Sequence, residues 1–94
     1  MFLLIPYDIS DDKRRRVVDK ILSSYGRRVN YLVFEIEVTS TRFRQLISEL
    51  KKATTSKDHI RIYRLTKEVV NRSFVLHREE RIFDDEELYF WSIF

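Results

Sequence analysis

The chain has 94 residues, of which 44% are hydrophobic and 35% are charged, with one glycine, one proline and no cysteine. That length holds one domain, and the apolar content argues against intrinsic disorder. The lack of cysteine excludes disulfides and thiolate metal sites. Because the sequence also shows no signal-peptide pattern and no apolar run long enough to cross a bilayer, we expect a cytoplasmic protein without a membrane anchor.

Charge is distributed unevenly along the chain. Residues 1–78 carry 17 lysines and arginines against 9 acidic residues, whereas residues 79–94 carry one arginine against six acidic residues and end in an apolar, aromatic run. A basic body attracts phosphate and an acidic tail repels it. We therefore predict a nucleic-acid-handling domain over residues 1–78 and a segment over residues 79–94 that adds a strand or docks a partner. A solvated charged surface is the alternative explanation.

The first half of the chain predicts a strand, a helix and a second extended region. Residues 2–9 contain an apolar run typical of a central strand, and Pro6 within it marks a bulge or a free strand edge. Ser10 and two aspartates begin a helix, whose apolar stripe ends at Gly26, a residue that can take positive φ. Residues 29–38 fit one long strand or two short ones.

The second half of the chain completes the fold class. Residues 39–41 offer caps for a second helix with an apolar stripe, and strands are predicted at 59–65 and 73–77 after a polar loop at 54–58. Two helices interleaved with strands predict an α+β fold of the split βαβ type, with both helices on one face of an antiparallel sheet. A second subunit is the simplest cover for the other face, so we expect a homodimer.

Asp8 is the first candidate for chemistry. It ends the first predicted strand just before the helix, which is a frequent position for ligand-binding residues. We expect its carboxylate to be half-buried and to need a backbone donor, an arginine or a metal. On a helical wheel Arg14 points toward Asp8, and Arg15 lies at the edge of the same face. A structural cap of the turn is the alternative for Asp8.

Further arginines can extend a basic track for phosphate. Arg16 faces outward on the helical wheel, and two more arginines follow the far end of the helix. The chain contains no P-loop, zinc-protease motif or nucleophile elbow, so a metal-assisted phosphodiester reaction centred on Asp8 is the main chemistry left open. For each arginine taken singly, solvated surface is the alternative. The predicted nucleic-acid-binding residues are Arg14, Arg15, Arg16, Arg27 and Arg28.

Several segments in this order resemble the CRISPR-associated protein 2 family. They are Tyr-Asp-Ile-Ser-Asp-Asp at residues 7–12 with the basic run that follows, Gly-Arg-Arg-Val at residues 26–29, and Val-Phe-Glu at residues 33–35. The resemblance covers most of the chain and is best over residues 1–38. It implies a ferredoxin-like fold, a symmetric homodimer and an integrase partner in CRISPR spacer acquisition.

The resemblance also implies a site. Asp8 of each subunit would face its mate across the interface, and the two would share a divalent metal, Mg²⁺ or Mn²⁺. The family is often described as endoribonucleases, and the positions tied to that activity fall here on Asp8, Tyr7, Arg15 and Phe34. Asn30 and Leu32 depart from the Gln and Ser of the family pattern. Any polar role at Leu32 is therefore lost.

Three functions remain open at this point. The first is a metal-dependent nuclease that cleaves RNA or DNA through paired Asp8 residues. The second is a scaffold without chemistry of its own, which bridges integrase subunits and holds a DNA duplex on its basic surface. The third, a ferredoxin-like module that binds a small molecule, has only fold analogy behind it.

Overall fold

Five strands and three helices make up residues 1–83, the part of the chain that the computed structural model describes. In chain order they are β1 (Phe2–Asp8), α1 (Asp12–Tyr25), β2 (Arg27–Asn30), β3 (Val33–Glu37), α2 (Ser40–Ala53), β4 (His59–Ile60), β5 (Tyr63–Leu65) and α3 (Lys67–Arg72). The region at residues 29–38, which fits one strand or two, therefore holds parts of two strands. A short turn joins them.

The sheet is antiparallel, and β1 lies at its centre. The strand order is β2–β3–β1–β4, and β5 also pairs with β1. Leu3 of β1 lies opposite Ile36 of β3 on one side and Arg64 of β5 on the other. Two crossovers, each carrying a helix, connect strands of one antiparallel sheet, which is the split βαβ arrangement. The predicted ferredoxin-like α+β class is confirmed.

Pro6 lies where one edge of β1 changes partners. The first half of β1 pairs with β5, whereas Tyr7 and Asp8 pair with β4. The N–H of Tyr7 donates to the carbonyl of Leu32 at 3.0 Å, on the β3 side. The nitrogen of Pro6 therefore faces the opposite edge, in the gap between β4 and β5, where no donor is needed. The same gap divides the strand predicted at residues 59–65 into two.

Helix α1 begins and ends close to the predicted residues, but its N-cap residue and the conformation of the glycine that ends it differ from the prediction. Its N-cap is Asp11 rather than Ser10, and the Asp11 carboxylate accepts the N–H of Arg14 at 2.8 Å. Gly26 ends the helix with an extended φ of −162°, so the predicted positive φ is wrong. Glycine is needed there because a Cβ would lie 2.3 Å from the carbonyl oxygen of Glu35.

The main core lies between the sheet and the two long helices. Alternate residues of β1 and β3 face α1 and α2, as the period of two in a strand requires. Two cation–π contacts lie at the edge of this core. The guanidinium carbon of Arg42 lies 4.3 Å from the ring centroid of Tyr25, and that of Arg64 lies 5.1 Å from the ring centroid of Phe43. The buried members are Leu3, Ile5, Tyr7, Ile9, Val18, Leu22, Phe34, Ile36, Val38, Leu46 and Leu50.

The opposite face of the sheet is covered at one end by the chain itself. Phe2, Val70 and Phe83 form a second buried cluster, in which the rings of Phe2 and Phe83 meet edge to face at 5.3 Å. The N–H of Phe83 also donates to Oε1 of Glu35 at 2.8 Å. This cover, which sequence patterns did not predict, lies at the Phe2 end of β1. Asp8, at the other end of β1, is exposed.

The strand predicted at residues 73–77 is wrong. Helix α3 precedes it, and a turn follows in which the N–H of Arg78 donates to the carbonyl of Val75 at 3.2 Å and His77 takes a φ of 64°. Both edges of β1 are already paired, so this segment has no central position to fill in its own chain. Phe74 and Leu76 consequently remain 77% and 70% exposed.

The extra strand or docking role predicted for residues 79–94 falls largely on residues 84–94, which lie outside the described range. Among the helices of residues 1–83, none combines the length and hydropathy that a membrane span requires.

Candidate nucleic-acid and metal site

Asp8 lies at the end of β1, opposite His59 of β4. The expectation of a half-buried carboxylate is wrong, because Asp8 is exposed. Since Tyr7 faces the helices, the next residue along the strand must face the opposite side of the sheet, and the cover formed by Phe83 lies at the far end of that side. Within residues 1–83 the Asp8 carboxylate has no hydrogen-bond or ion-pair partner.

Arg14 does not reach Asp8, and this prediction is wrong. Its guanidinium forms a bidentate ion pair with Asp58 in the α2–β4 loop, in which Nε donates to Oδ2 at 2.9 Å and Nη2 donates to Oδ1 at 3.1 Å. The Asp58 side chain is only 2% exposed and also accepts the backbone N–H of Thr55 at 2.9 Å. The hydrogen bonds from Arg14 and then from Thr55 hold the pKa of Asp58 below its ordinary value. Arg14 therefore connects the start of α1 to the α2–β4 loop.

Arg15 lies beside the Asp8 end of β1. Its Nη1 donates to the carbonyl of Ile9, the second residue after Tyr7, at 3.3 Å, and its Nη2 donates to Oδ1 of Asp12 at 2.5 Å. The hydrogen bond with Asp12 is the largest cause of a raised pKa at Arg15. These two hydrogen bonds leave further N–H groups of the guanidinium for another acceptor.

A partly buried network joins Tyr7 to α1 and β2. The Tyr7 hydroxyl donates to Asp19 and accepts from Nη1 of Arg28 at 3.0 Å, and Arg28 in turn pairs with Oδ1 of Asp19 at 3.1 Å. Burial and then the hydrogen bond with Asp19 raise the pKa of Tyr7. We call these three residues the Tyr7 network. Sequence patterns did not identify Asp19, because its partners come from two other elements.

Phe34 lies under the Tyr7 network and has no exposed surface. Its ring centroid is 6.1 Å from that of Tyr7, and the Arg28 guanidinium lies over it at 4.9 Å. Tyr7 itself is 3% exposed. The structure thus places two of the four predicted catalytic residues in the core, where they support the strand that carries Asp8. Their part in catalysis stays a prediction.

The predicted basic track is largely engaged in contacts within the chain. Arg28 belongs to the Tyr7 network, and Arg27 donates to the carbonyl of Arg81 at 2.6 Å and lies 3.9 Å from Oε1 of Glu35. Arg16 is exposed, as expected, and in the part of the chain that the structure describes its guanidinium has no partner. It is therefore the predicted arginine most open to phosphate.

Two exposed lysines, Lys13 and Lys20, extend the surface around Arg16. They lie three residues before and four residues after it, so all three side chains share one side of α1. We call Lys13, Arg16 and Lys20 the α1 outer row. Helical spacing in the sequence could have identified this row. The prediction named the consecutive arginines 14–16 and therefore missed the two lysines.

The described residues alone form no metal site with three protein ligands around Asp8. Across residues 1–83 no three histidine or acidic side chains lie close enough together to hold an ion. An exposed carboxylate without another partner is nevertheless a suitable oxygen ligand for Mg²⁺, which keeps several waters and takes only one or two carboxylates. The donor set therefore fits the metal if a second carboxylate comes from another chain.

These features define a small ferredoxin-like α+β protein with an exposed carboxylate at the end of its central strand and a basic helix beside it. Comparison with known proteins gives the family. The family model for CRISPR associated protein Cas2 matches residues 1–73, and the chain belongs to that family.

Individual relatives agree with this membership. A protein of Chloroflexus aurantiacus named CRISPR-associated endoribonuclease Cas2 3 is 42% identical over 76 residues, which span 80% of this chain and 82% of the relative. The crystal structure of Streptococcus pyogenes Cas2 is 35% identical, with a TM-score of 0.70 over 81% of this chain and 99% of that one. A chain from a partial Cas6-RT-Cas1–Cas2 complex is 34% identical, with a TM-score of 0.65 over 80% of this chain and 89% of that one.

Proposed function

We propose that this chain acts in CRISPR spacer acquisition as a homodimer that holds nucleic acid beside an integrase partner and carries a metal-dependent endonuclease site at paired Asp8 residues. Membership of the Cas2 family supports the role, since one relative is named an endoribonuclease and a similar chain belongs to a complex that contains Cas1. The observation that carries the site is the exposed Asp8 carboxylate, which has no partner within residues 1–83.

The part of the sheet that residues 1–83 leave uncovered supports the dimer. The chain covers the Phe2 end of β1 with Phe83, whereas Asp8 lies exposed on the same side of the sheet at the other end. Tyr63 of β5, which pairs with Leu4 of β1 on that side, is also 44% exposed. A second copy related by a twofold axis would cover this surface and bring its own Asp8 to the first.

The residues near Asp8 fit phosphodiester chemistry. The two Asp8 carboxylates would hold a divalent ion, Mg²⁺ or Mn²⁺, which would supply a Lewis acid for a phosphoryl oxygen and would lower the pKa of a bound water. Arg15, anchored to the carbonyl of Ile9 immediately after Asp8, directs its remaining N–H groups to a phosphate oxygen and stabilises the charge that develops there.

A scaffold without its own chemistry is the second candidate, and the buried residues favour it. Tyr7 and Phe34 are both in the core, and the Tyr7 hydroxyl already bonds to Asp19 and Arg28. Of the four predicted catalytic residues, only Asp8 and Arg15 then remain for catalysis. The α1 outer row, by contrast, is sufficient to contact a phosphate backbone. In this scaffold the dimer bridges integrase subunits and holds duplex DNA.

Binding by the α1 outer row predicts an electrostatic, sequence-independent interaction. The triple variant Lys13→Ala, Arg16→Ala, Lys20→Ala should weaken binding of unrelated duplexes equally. The slope of log K against log salt should become shallower by about 0.9 for each phosphate that the variant no longer binds. Fluorescence anisotropy at several salt concentrations measures both quantities.

The matched control removes the same charge from exposed positions elsewhere, with Arg44→Ala, Lys51→Ala and Lys67→Ala. Its salt slope should stay close to that of the wild type. Equal changes in the two triple variants would show that binding depends on total charge and not on α1. Loss of binding for one sequence alone would contradict a phosphate-based interaction.

A further inference from the structure

Tyr31 is an exposed aromatic residue at the turn between β2 and β3. Its side chain is 76% exposed, although a ring of this size normally buries much of its surface. The turn lies at the Asp8 end of β1, because the carbonyl of Leu32 accepts the N–H of Tyr7 at 3.0 Å. The ring is therefore presented to solvent beside the candidate site.

The backbone that carries Tyr31 is held in place. Its carbonyl accepts a hydrogen bond from Nη1 of Arg28, and its N–H donates to Oδ1 of Asn30 at 2.6 Å. Arg28 is itself fixed by Asp19 and by the ring of Phe34. Little backbone freedom is therefore lost at this turn when a ligand contacts the ring, which favours binding.

Two guanidinium groups lie near the Tyr31 turn, and each also pairs with a carboxylate, Arg28 with Asp19 and Arg15 with Asp12. Arg28 connects the turn to Asp19 of α1, and Arg15 lies four residues before Asp19 on the same side of that helix. Asp12 and, to a smaller extent, Tyr31 raise the pKa of Arg15. Arg15 also keeps N–H groups free for a phosphate. The Tyr31 turn and the Arg15 guanidinium thus both lie at the Asp8 end of β1.

We propose that Tyr31 is a stacking platform for an unpaired base of a nucleic acid whose backbone phosphate is bound by Arg15. The inference rests on the proposed nucleic-acid function and adds a preference to it. Exposed aromatic rings next to cations bind single strands by stacking on the bases, whatever the sequence. Bases in a duplex are already stacked on one another. Tyr31 therefore favours single-stranded or locally unpaired nucleic acid over duplex.

Binding of oligonucleotides that contain the fluorescent base 2-aminopurine tests this inference. The measurement uses the full-length protein in EDTA, with single strands of RNA and DNA and duplexes of equal length. Tyr31→Leu keeps apolar bulk but removes the aromatic face, and Tyr31→Phe keeps the face. Wild type and Tyr31→Phe should quench 2-aminopurine in single strands. Tyr31→Leu should abolish quenching and weaken single-strand binding by about 5- to 150-fold, with duplex binding unchanged.

Separate outcomes overturn the inference and the proposed function. Unchanged single-strand binding by Tyr31→Leu, or equal losses for single strands and duplexes, overturns the stacking role and leaves nucleic-acid binding intact. A Tyr31→Leu protein that sediments as a monomer with unchanged single-strand quenching assigns the ring to a protein contact and also overturns it. A wild-type protein that binds no oligonucleotide overturns both. The RNA and DNA arms identify which strand the site accepts.

Discussion

Replacement of Asp8 by asparagine should abolish metal-dependent cleavage of nucleic acid while the dimer remains intact. Asparagine keeps the size of the side chain but removes the negative charge that a hard divalent cation needs. Because a bound metal contributes several kcal/mol to phosphoryl transfer, the rate should fall by about a hundredfold or more. Asp8 is exposed and has no partner within the described residues 1–83, so its replacement should leave stability nearly unchanged.

The matched control is Glu68→Gln, which also removes one exposed carboxylate. Cleavage rates of wild type, Asp8→Asn and Glu68→Gln are compared with Mg²⁺ and with Mn²⁺, and sedimentation checks the dimer. Cleavage by Asp8→Asn at the wild-type rate would assign the activity to another site or to a contaminant. Absence of cleavage in all three proteins, with duplex binding retained, would favour the scaffold.

Phe34→Ala should lower the free energy of unfolding by about 3–5 kcal/mol. Phe34 has no exposed surface, and it supports both the Tyr7 ring and the Arg28 guanidinium. Truncation leaves a cavity under β3, beside Tyr7 of β1, and removes the surface on which Arg28 packs. Since small domains are stable by only about 5–15 kcal/mol, much of the protein should be unfolded near its working temperature.

Urea unfolding of wild type, Phe34→Leu and Phe34→Ala measures this effect. Phe34→Leu keeps most of the volume and should cost less than half as much as Phe34→Ala. We expect activity in the three proteins to follow the folded fraction, because the ring lies away from solvent. A Phe34→Ala protein that is as stable as the wild type, yet inactive, would instead place the ring in the chemistry.

Periodicity in the sequence was sufficient to predict the central strand, both long helices and the fold class. In α1, for example, Val18 and Leu22 are four residues apart and both buried. The strand predicted at residues 73–77 failed because alternation reports an apolar face and not a pairing partner. Phe74 and Leu76 have the required pattern, but the edges of β1 are already taken by other strands of the chain.

The ion pairs could not be predicted, because they depend on which loops meet. Asp58 is far from Arg14 in the chain, yet the antiparallel packing of α1 and α2 brings the α2–β4 loop to the start of α1. Asp19 likewise meets Arg28 across two elements. The exposure of Asp8, by contrast, could have been predicted from the sequence. Tyr7 and Asp8 must face opposite sides of the sheet, and only one side carries the long helices.

A crystal structure of the protein grown with Mn²⁺ would test the paired Asp8 site. Anomalous scattering locates the ion, and the structure shows the chains around it. We predict a twofold-symmetric dimer in which carboxylate oxygens of both Asp8 residues lie about 2 Å from one Mn²⁺. A dimer that places the two Asp8 residues on separate surfaces, or an ion bound without either of them, would contradict the proposal.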